Sequence, residues 1–143
     1  MSDEKMFAQL KRHEGFRSKP YKDSVGVTTI GYGTNLDNGI TEEEASMLME
    51  FRLRALADEL FATYAYEMMF HINMERSTVL INMLYNLGVP RLLGFKKMWA
   101  ALSVGNFEKA ADEMLDSKWA KQVGDRAIEL STQMRTGEWQ QET

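Results

Sequence analysis

Apolar residues recur at helical spacing along most of the chain, and one short stretch near the N-terminus breaks that pattern. Residues 3–13 show the helical spacing, which predicts a first helix that Gly15 ends. Residues 17–32 are instead rich in Val, Thr, Tyr and Ile and are interrupted by glycines. This composition predicts a small β-hairpin or meander, with its turn at residues 23–26 and a loop over residues 35–39.

A capped helix start follows this stretch. Thr41 and Glu44 have the spacing of a capping box, in which each side chain bonds to the other residue's backbone N–H. Apolar residues then continue at helical spacing. We therefore predict one long helix over residues 42–61, connecting a small β-containing part to a helical part.

The rest of the chain has the helical pattern almost throughout. Apolar positions between residues 79 and 87 predict a core helix that Gly88 and Pro90 end. Three further helices are predicted: one that starts near Gly94 and stops before Gly105, one from the N-cap Asn106 to about residue 116, and one over residues 125–136 with Gly137 as C-cap. The pattern therefore indicates a mainly helical α+β protein.

Composition limits the classes of function. A length of 143 residues fits one domain, or one domain with two small lobes around a cleft, and 44% hydrophobic residues suffice for a core. A net charge of −4 argues mildly against nucleic acid, since phosphate-binding chains usually carry a basic excess. Five basic residues nevertheless cluster in residues 11–22, near the candidate site described below: Lys11, Arg12, Arg17, Lys19 and Lys22. Most of them are expected to be solvated.

Several kinds of chemistry and location are disfavoured. The sequence has no cysteine, so disulfides and thiolate chemistry are excluded. His13 and His71 are too few and too far apart to suggest a metal site, and we expect no metal or cofactor. The polar N-terminus does not resemble a signal peptide, and no apolar run is long enough to span a membrane.

Two carboxylates and a hydroxyl lie close together in the stretch after the first helix. Glu14 ends the predicted helix, where the negative end of the helix dipole favours a protonated carboxyl. Asp23 falls in the predicted turn and Thr29 on the strand that folds back. One protonated and one ionised carboxyl facing the same bond can cleave a glycoside. From spacing alone, however, a solvated helix end and a turn-forming Asp are the usual explanation of these residues.

The same stretch resembles the active-site motif of the phage-type lysozymes, the T4-lysozyme-like endolysins of glycoside hydrolase family 24. The matching residues are Glu14-Gly15, then Tyr21-Lys22-Asp23, then Thr29-Ile30-Gly31-Tyr32-Gly33. The resemblance continues through residues 81–88 and the C-terminal helices. It implies a two-lobed lysozyme fold, with a small β-hairpin lobe at about residues 15–40. The connecting helix would span residues 42–61, and residues 62–143 with the N-terminal helix would form the helical lobe, all within one domain.

The resemblance also implies catalytic roles. Glu14 would be the general acid, and Asp23 and Thr29 would position the attacking water, so that hydrolysis of the muramic acid–glucosamine bond in peptidoglycan proceeds with inversion. Arg126 matches a family arginine that pairs with the catalytic Glu, and it would support Glu14. From its position alone, Arg126 is equally a surface ion pair of little energetic value.

Substrate contacts are expected at five further positions. Tyr85 and Asn86 match family positions that line the sugar cleft, although Tyr85 is equally a candidate core residue. Tyr32 and Asn35 lie at the edge of the predicted β lobe. Lys118 is positioned to meet a muramyl carboxylate or a peptide acid, with a free surface lysine as the alternative.

Residues 64–71 are unusually rich in aromatic residues and methionine, and the chain has 11 methionines. Two interpretations are open: a core packed with adaptable side chains, or an exposed apolar patch for a partner or a dimer. His71 is expected at the surface or as a hydrogen-bonded core residue. Trp99, Trp119 and Trp139 are all expected in the core.

Two other functions remain open. A lytic transglycosylase on the same fold would form an anhydro product without an attacking water, which Asp23 and Thr29 argue against. A non-catalytic module would only bind cell wall or a partner protein. We expect a monomer whose partner is the glycan strand of peptidoglycan, without nucleic acid or membrane insertion. It would stay in the host cytoplasm until it is released to the cell wall.

Overall fold

The computed structural model describes residues 2–140, and in this range it contains nine helices and one three-stranded antiparallel sheet. In chain order the elements are α1 (Ser2–Glu14), β1 (Arg17–Lys22), β2 (Thr28–Gly31), β3 (Thr34–Asn35), α2 (Glu42–Phe61), α3 (Ala65–Phe70), α4 (Met74–Leu87), α5 (Val89–Leu93), α6 (Lys96–Ser103), α7 (Phe107–Leu115), α8 (Lys118–Val123) and α9 (Asp125–Thr136). This mainly helical α+β architecture confirms the predicted fold class.

The chain divides into two compact units, with the boundary between Met49 and Glu50 inside α2. The first unit contains α1, the sheet and the start of α2. The second contains the rest of α2 and all later helices. The predicted arrangement of one domain, with lobes at residues 15–40 and 62–143, stays a prediction.

The sheet of the first unit is a meander in the order β1-β2-β3. Strand β1 pairs antiparallel with β2, with Tyr21 opposite Thr29 and Lys22 opposite Thr28, and an irregularity precedes Tyr21. Strand β2 continues the sheet by pairing Thr29 with Asn35 of β3. The predicted hairpin and its turn are therefore confirmed, and the sheet places Thr29 on its central strand.

The second unit has a continuous hydrophobic core, built largely from α4, α6, α7 and α9. Its fully buried side chains include four methionines, Met83, Met98, Met114 and Met134. Unbranched methionine side chains fill irregular gaps between helices, which explains their use here. Trp99 and Trp119 are also buried, as predicted.

The prediction that Trp139 belongs to the core was wrong. Trp139 is 55% exposed. It lies beyond Gly137, the C-cap of α9, and therefore outside the helices that enclose the core.

Residues 64–71 combine both predicted interpretations. They include helix α3, which buries Ala65 and Met69 in the core. Tyr64, Tyr66 and Phe70 stay exposed, and His71 is at the surface. The stretch therefore contributes to the core on one side and presents aromatic rings on the other.

The predicted helix caps form. Thr41 Oγ1 accepts the backbone N–H of Glu44 at 3.1 Å, and Glu44 Oε1 accepts that of Thr41 at 2.8 Å. Asn106 caps α7 by accepting the backbone N–H of Lys109. Pro90 differs from expectation because it lies in the first turn of α5, where its missing N–H needs no partner. No helix within residues 2–140 is long and apolar enough to cross a membrane.

Candidate active site

The turn between β1 and β2 is built around the carboxylate of Asp23. Its Oδ1 atom accepts the backbone N–H groups of Val25 and Val27, each at 2.9 Å. The backbone N–H of Asp23 in turn bonds to the carbonyl of Val27 at 2.9 Å. An aspartate that bonds to backbone groups two and four residues later fixes a tight turn. This turn therefore holds the Asp23 carboxylate in one orientation.

Thr29 is tied to Val27, the residue whose backbone N–H bonds to Asp23. Its Oγ1 atom donates a hydrogen bond to the carbonyl oxygen of Val27 at 2.9 Å, and the residue is only 5% exposed. Val27 thus links the Asp23 carboxylate, through its N–H, to the Thr29 hydroxyl, through its C=O. Because the hydroxyl proton is used in this bond, the lone pairs of Oγ1 remain to accept a hydrogen bond from another molecule.

Glu14 is the last residue of α1 and is exposed. The backbone N–H of Gly15 bonds to the carbonyl of Lys11, which closes the final turn of the helix. The Glu14 carboxylate then reaches the backbone of Gly33 after strand β2. A Cβ atom placed on Gly33 would lie 2.6 Å from Oε2 of Glu14. Only glycine allows this approach.

Substituting Gly33 with alanine is expected to displace the Glu14 carboxylate. The new Cβ would overlap Oε2, and the φ angle of +78° at Gly33 is strained for any L side chain. We expect a loss of about 1 kcal/mol in the free energy of unfolding. We also expect the catalytic rate to fall by more than it does in the control variant Gly39→Ala. Denaturant unfolding and initial rates on peptidoglycan would measure the two effects. As a control, Gly39→Ala has similar strain, with φ +74°, but no atom lies within 4 Å of its added Cβ. Equal losses of rate in both variants would contradict the role of Gly33.

Two predicted substrate residues also belong to the first unit. Tyr32 is 45% exposed, and its ring lies against Phe16, with the centroids 5.6 Å apart. Asn35 is half-buried, and its Oδ1 accepts the backbone N–H of Asn38 at 3.3 Å. The first unit therefore holds Tyr32 and Asn35 together with Glu14, Asp23 and Thr29.

The other predicted site residues belong to the second unit. Tyr85, near the end of α4, is 41% exposed, so the alternative that it is a core residue was wrong. Its neighbour Asn86 accepts the indole N–H of the buried Trp119 at 2.8 Å through Oδ1. The bond to Trp119 leaves the amide N–H₂ of Asn86 as the donor that can serve a ligand.

A surface pocket of about 500 Å³ includes Trp119, the partner of Asn86, in its lining, and residues from α4 to α8 surround it. Lys118, the exposed first residue of α8, lines it together with Phe95, Lys97, Glu113 and Trp119. The pocket thus combines aromatic walls with charged groups of both signs. Such a lining suits a ligand with apolar and ionic parts.

Arg126 is half-buried and bonds to Asn82. Its Nε and Nη2 atoms donate to Oδ1 of Asn82 at 3.0 and 2.7 Å. Sequence reasoning did not identify Asn82, or Trp119 as the partner of Asn86, as site residues. Asn82 does fall within residues 81–88, which resemble the family, and this resemblance was the signal that could have identified it. These bonds fix the orientation of the Arg126 guanidinium on the second unit.

The described residues offer no obvious place for a metal. Across residues 2–140, no three or more His, Cys, Asp and Glu side chains are grouped so that they could hold an ion.

The assignment of catalytic and binding roles to the nine predicted residues stays a prediction.

Comparison with known proteins identifies the family. The Phage lysozyme family profile matches residues 11–136. The chain is 28% identical to the pre-baseplate central spike protein Gp5 of Enterobacteria phage T4, over 92% of this chain and 28% of the spike protein. It is 29% identical to an endolysin of Salmonella phage P22, over 89% of this chain and 88% of the endolysin. It is also 30% identical to an endolysin of Bacillus phage B103, over 80% of this chain but only 44% of that relative. The predicted resemblance is confirmed: the chain belongs to the phage lysozyme family, a family of glycoside hydrolases.

Proposed function

We propose that the chain hydrolyses the β-1,4 bond between N-acetylmuramic acid and N-acetylglucosamine in peptidoglycan. Membership of the phage lysozyme family supports this reaction class. The observation that carries the proposal is the backbone of Val27, whose N–H bonds to the Asp23 carboxylate and whose C=O bonds to the Thr29 hydroxyl. A carboxylate and a hydroxyl held by the backbone of one residue can jointly orient a water molecule.

In the proposed reaction, Glu14 donates its proton to the glycosidic oxygen as the C–O bond breaks. A water molecule, held by Asp23 and Thr29, attacks the anomeric carbon from the opposite face and gives its proton to the Asp23 carboxylate. The product sugar therefore has the inverted configuration. The contact between Glu14 and Gly33 supports this role, because it restricts the position of the Glu14 carboxyl group.

We propose glycan contacts at five residues. In the first unit these are Tyr32 and Asn35. In the second, the exposed ring of Tyr85 would pack on a sugar face, and the amide N–H₂ of Asn86 would donate to a sugar substituent. Lys118, at the 500 Å³ pocket, would bind a carboxylate of the muramyl group or its peptide. The supporting role of Arg126 toward Glu14 belongs to the same proposal.

The relatives suggest where this activity is used. The P22 and B103 proteins are named endolysins, and we propose the same role, with action on the bacterial cell wall, for this chain. The predicted stay in the host cytoplasm before release, and the predicted monomeric state, belong to this proposal.

Analysis of the cleavage products would test the function. Purified protein is incubated with isolated peptidoglycan, and the released muropeptides are identified by mass spectrometry. We expect reducing N-acetylmuramic acid ends, with the α-anomer formed first in proton NMR because the substrate bond is β. Anhydro ends would replace the hydrolase by a lytic transglycosylase. Retained binding to the wall without release of any fragment would leave a non-catalytic module.

A further inference from the structure

Three exposed side chains of the first unit meet in a cluster that the mechanism above only partly uses. Phe16 is 64% exposed and Tyr32 is 45% exposed, yet their rings contact each other at a centroid distance of 5.6 Å and an angle of 51°. The Nζ atom of Lys11 lies 5.6 Å from the centroid of the Tyr32 ring, which is within cation–π range. Exposed aromatic rings in mutual contact mark a binding surface more often than isolated ones do.

The cluster flanks the proposed general acid on both sides in the chain. Lys11 belongs to the last turn of α1. The backbone carbonyl of Lys11 accepts the N–H of Gly15, and this bond closes the turn. Phe16 follows Gly15 directly. Tyr32 precedes Gly33, against which the Glu14 carboxylate lies. A sugar that reaches Glu14 would therefore meet this cluster as its neighbouring surface.

The chemistry of the cluster fits an anionic sugar. The C–H face of a pyranose packs on aromatic rings, and an ammonium group at the edge of such a pair binds a carboxylate. Further cations of the same unit follow on β1, where Arg17 lies over the Tyr21 ring at 4.6 Å and Lys22 donates to Thr28 Oγ1. The negatively charged side chains of the site, opposite in sign to these cations, are Glu14 and Asp23. Of the two sugars of peptidoglycan, only N-acetylmuramic acid carries a lactyl carboxyl group.

We propose that Phe16, Tyr32 and Lys11 form a subsite for the N-acetylmuramyl residue, with the rings on the sugar and Lys11 on its carboxylate. The carboxylate is that of the lactyl group or of the peptide attached to it. This inference rests on the proposed function, because it names the sugar that the same site binds. It adds Phe16 and Lys11 as residues that determine specificity.

A binding experiment in the Glu14→Gln background tests the subsite without requiring turnover. The ligands are tetrasaccharides of alternating N-acetylglucosamine and N-acetylmuramic acid, prepared as the free acid, as the methyl ester and with the peptide attached. Dissociation constants are measured by calorimetry. Lys11→Gln is expected to raise the Kd for the free acid about two- to fivefold, as for an exposed ion pair, and to leave the Kd for the ester unchanged. A rise for the peptide-bearing ligand, without one for the free acid, would assign the carboxylate to the peptide.

The aromatic part of the subsite is tested with Tyr32 variants. Tyr32→Ala is expected to raise the Kd for acid and ester alike, by about two- to tenfold, because it removes the ring. Tyr32→Phe keeps the ring and is expected to bind both ligands as tightly as the background protein. Equal affinity of Tyr32→Ala and the background protein for both ligands would overturn the stacking role.

Arg12→Gln is the matched control for Lys11. Arg12 belongs to the same last turn of α1, so its loss removes one positive charge and a similar helix-end interaction. Within the described chain it makes no cation–π contact with Tyr32. If Lys11→Gln weakens acid and ester equally, or if Arg12→Gln has the same effect as Lys11→Gln, the subsite is overturned. If the wild-type protein releases no muropeptides but the Lys11 effect on binding persists, the proposed function fails and the subsite stands.

Discussion

Replacing Glu14 with glutamine is expected to lower the rate of peptidoglycan hydrolysis by about 10²- to 10⁴-fold, the usual contribution of a general acid. Glutamine keeps the size of the side chain and fits the same space against Gly33, but its amide has no acidic proton to give to the leaving oxygen. The rate is measured as the initial release of reducing ends from isolated peptidoglycan. Far-UV circular dichroism and a urea titration would show that the variant folds like the wild type.

A second carboxylate serves as the control for this substitution. Glu50 is exposed in the middle of α2, so Glu50→Gln removes the same charge without touching the proposed site. We expect its rate to stay within about twofold of the wild type, since a remote charge affects a site weakly at physiological salt. A Glu14→Gln variant that retains near wild-type activity would exclude Glu14 as the acid. The Asp23–Val27–Thr29 arrangement would then need another proton donor.

The long elements of the fold could be predicted from the sequence because each carries its own boundary signals. Helix α2 begins after the Thr41–Glu44 capping box, and α9 ends at a glycine in the left-handed region, Gly137. Both helices span the predicted residues. Helices α3, α5 and α8 were not predicted as separate elements, since five or six residues are too few to show a helical period.

The candidate site was predictable only in part. The order of Glu14, Asp23 and Thr29 along the chain is recognisable because short motifs with glycines surround them. The link between Asp23 and Thr29 runs through the backbone of Val27, and a backbone partner leaves no trace in residue type.

Bonds between distant residues were also beyond sequence reasoning. Asn86 and Trp119 are 33 positions apart, and Arg126 and Asn82 are 44 apart. Such pairs depend on how helices pack. Periodicity can assign each residue to a helix, but it does not specify which helices meet or at which turn. The Asn86–Trp119 pair joins α4 to α8, and the Arg126–Asn82 pair joins α9 to α4.

The tertiary contact with the largest expected effect on stability is made by Arg76 of α4. Its Nε atom donates to the carbonyl of Met134 at 2.7 Å, and its Nη2 atom donates to the carbonyl of Arg135 at 3.0 Å. These carbonyls belong to the last turn of α9, where carbonyl groups have no hydrogen-bond donor within the helix. The guanidinium also lies 3.6 Å from the ring centroid of Phe107, and burial lowers the pKa of Arg76.

Arg76→Met is therefore expected to lower the free energy of unfolding by about 3 kcal/mol, because two charge-assisted hydrogen bonds and a cation–π contact are lost together. Urea unfolding followed by circular dichroism measures the change. Arg76→Lys keeps the charge but lacks the planar fork that reaches both carbonyls, so it should fall between the two proteins. Arg135 is the control: hydrogen bonds to Glu108 and Asp112 raise its pKa, but both partners are exposed. Arg135→Gln should therefore change stability by less than about 1 kcal/mol. A larger loss for Arg135→Gln than for Arg76→Met would show that the surface ion pairs, rather than the Arg76 cap, hold the end of α9.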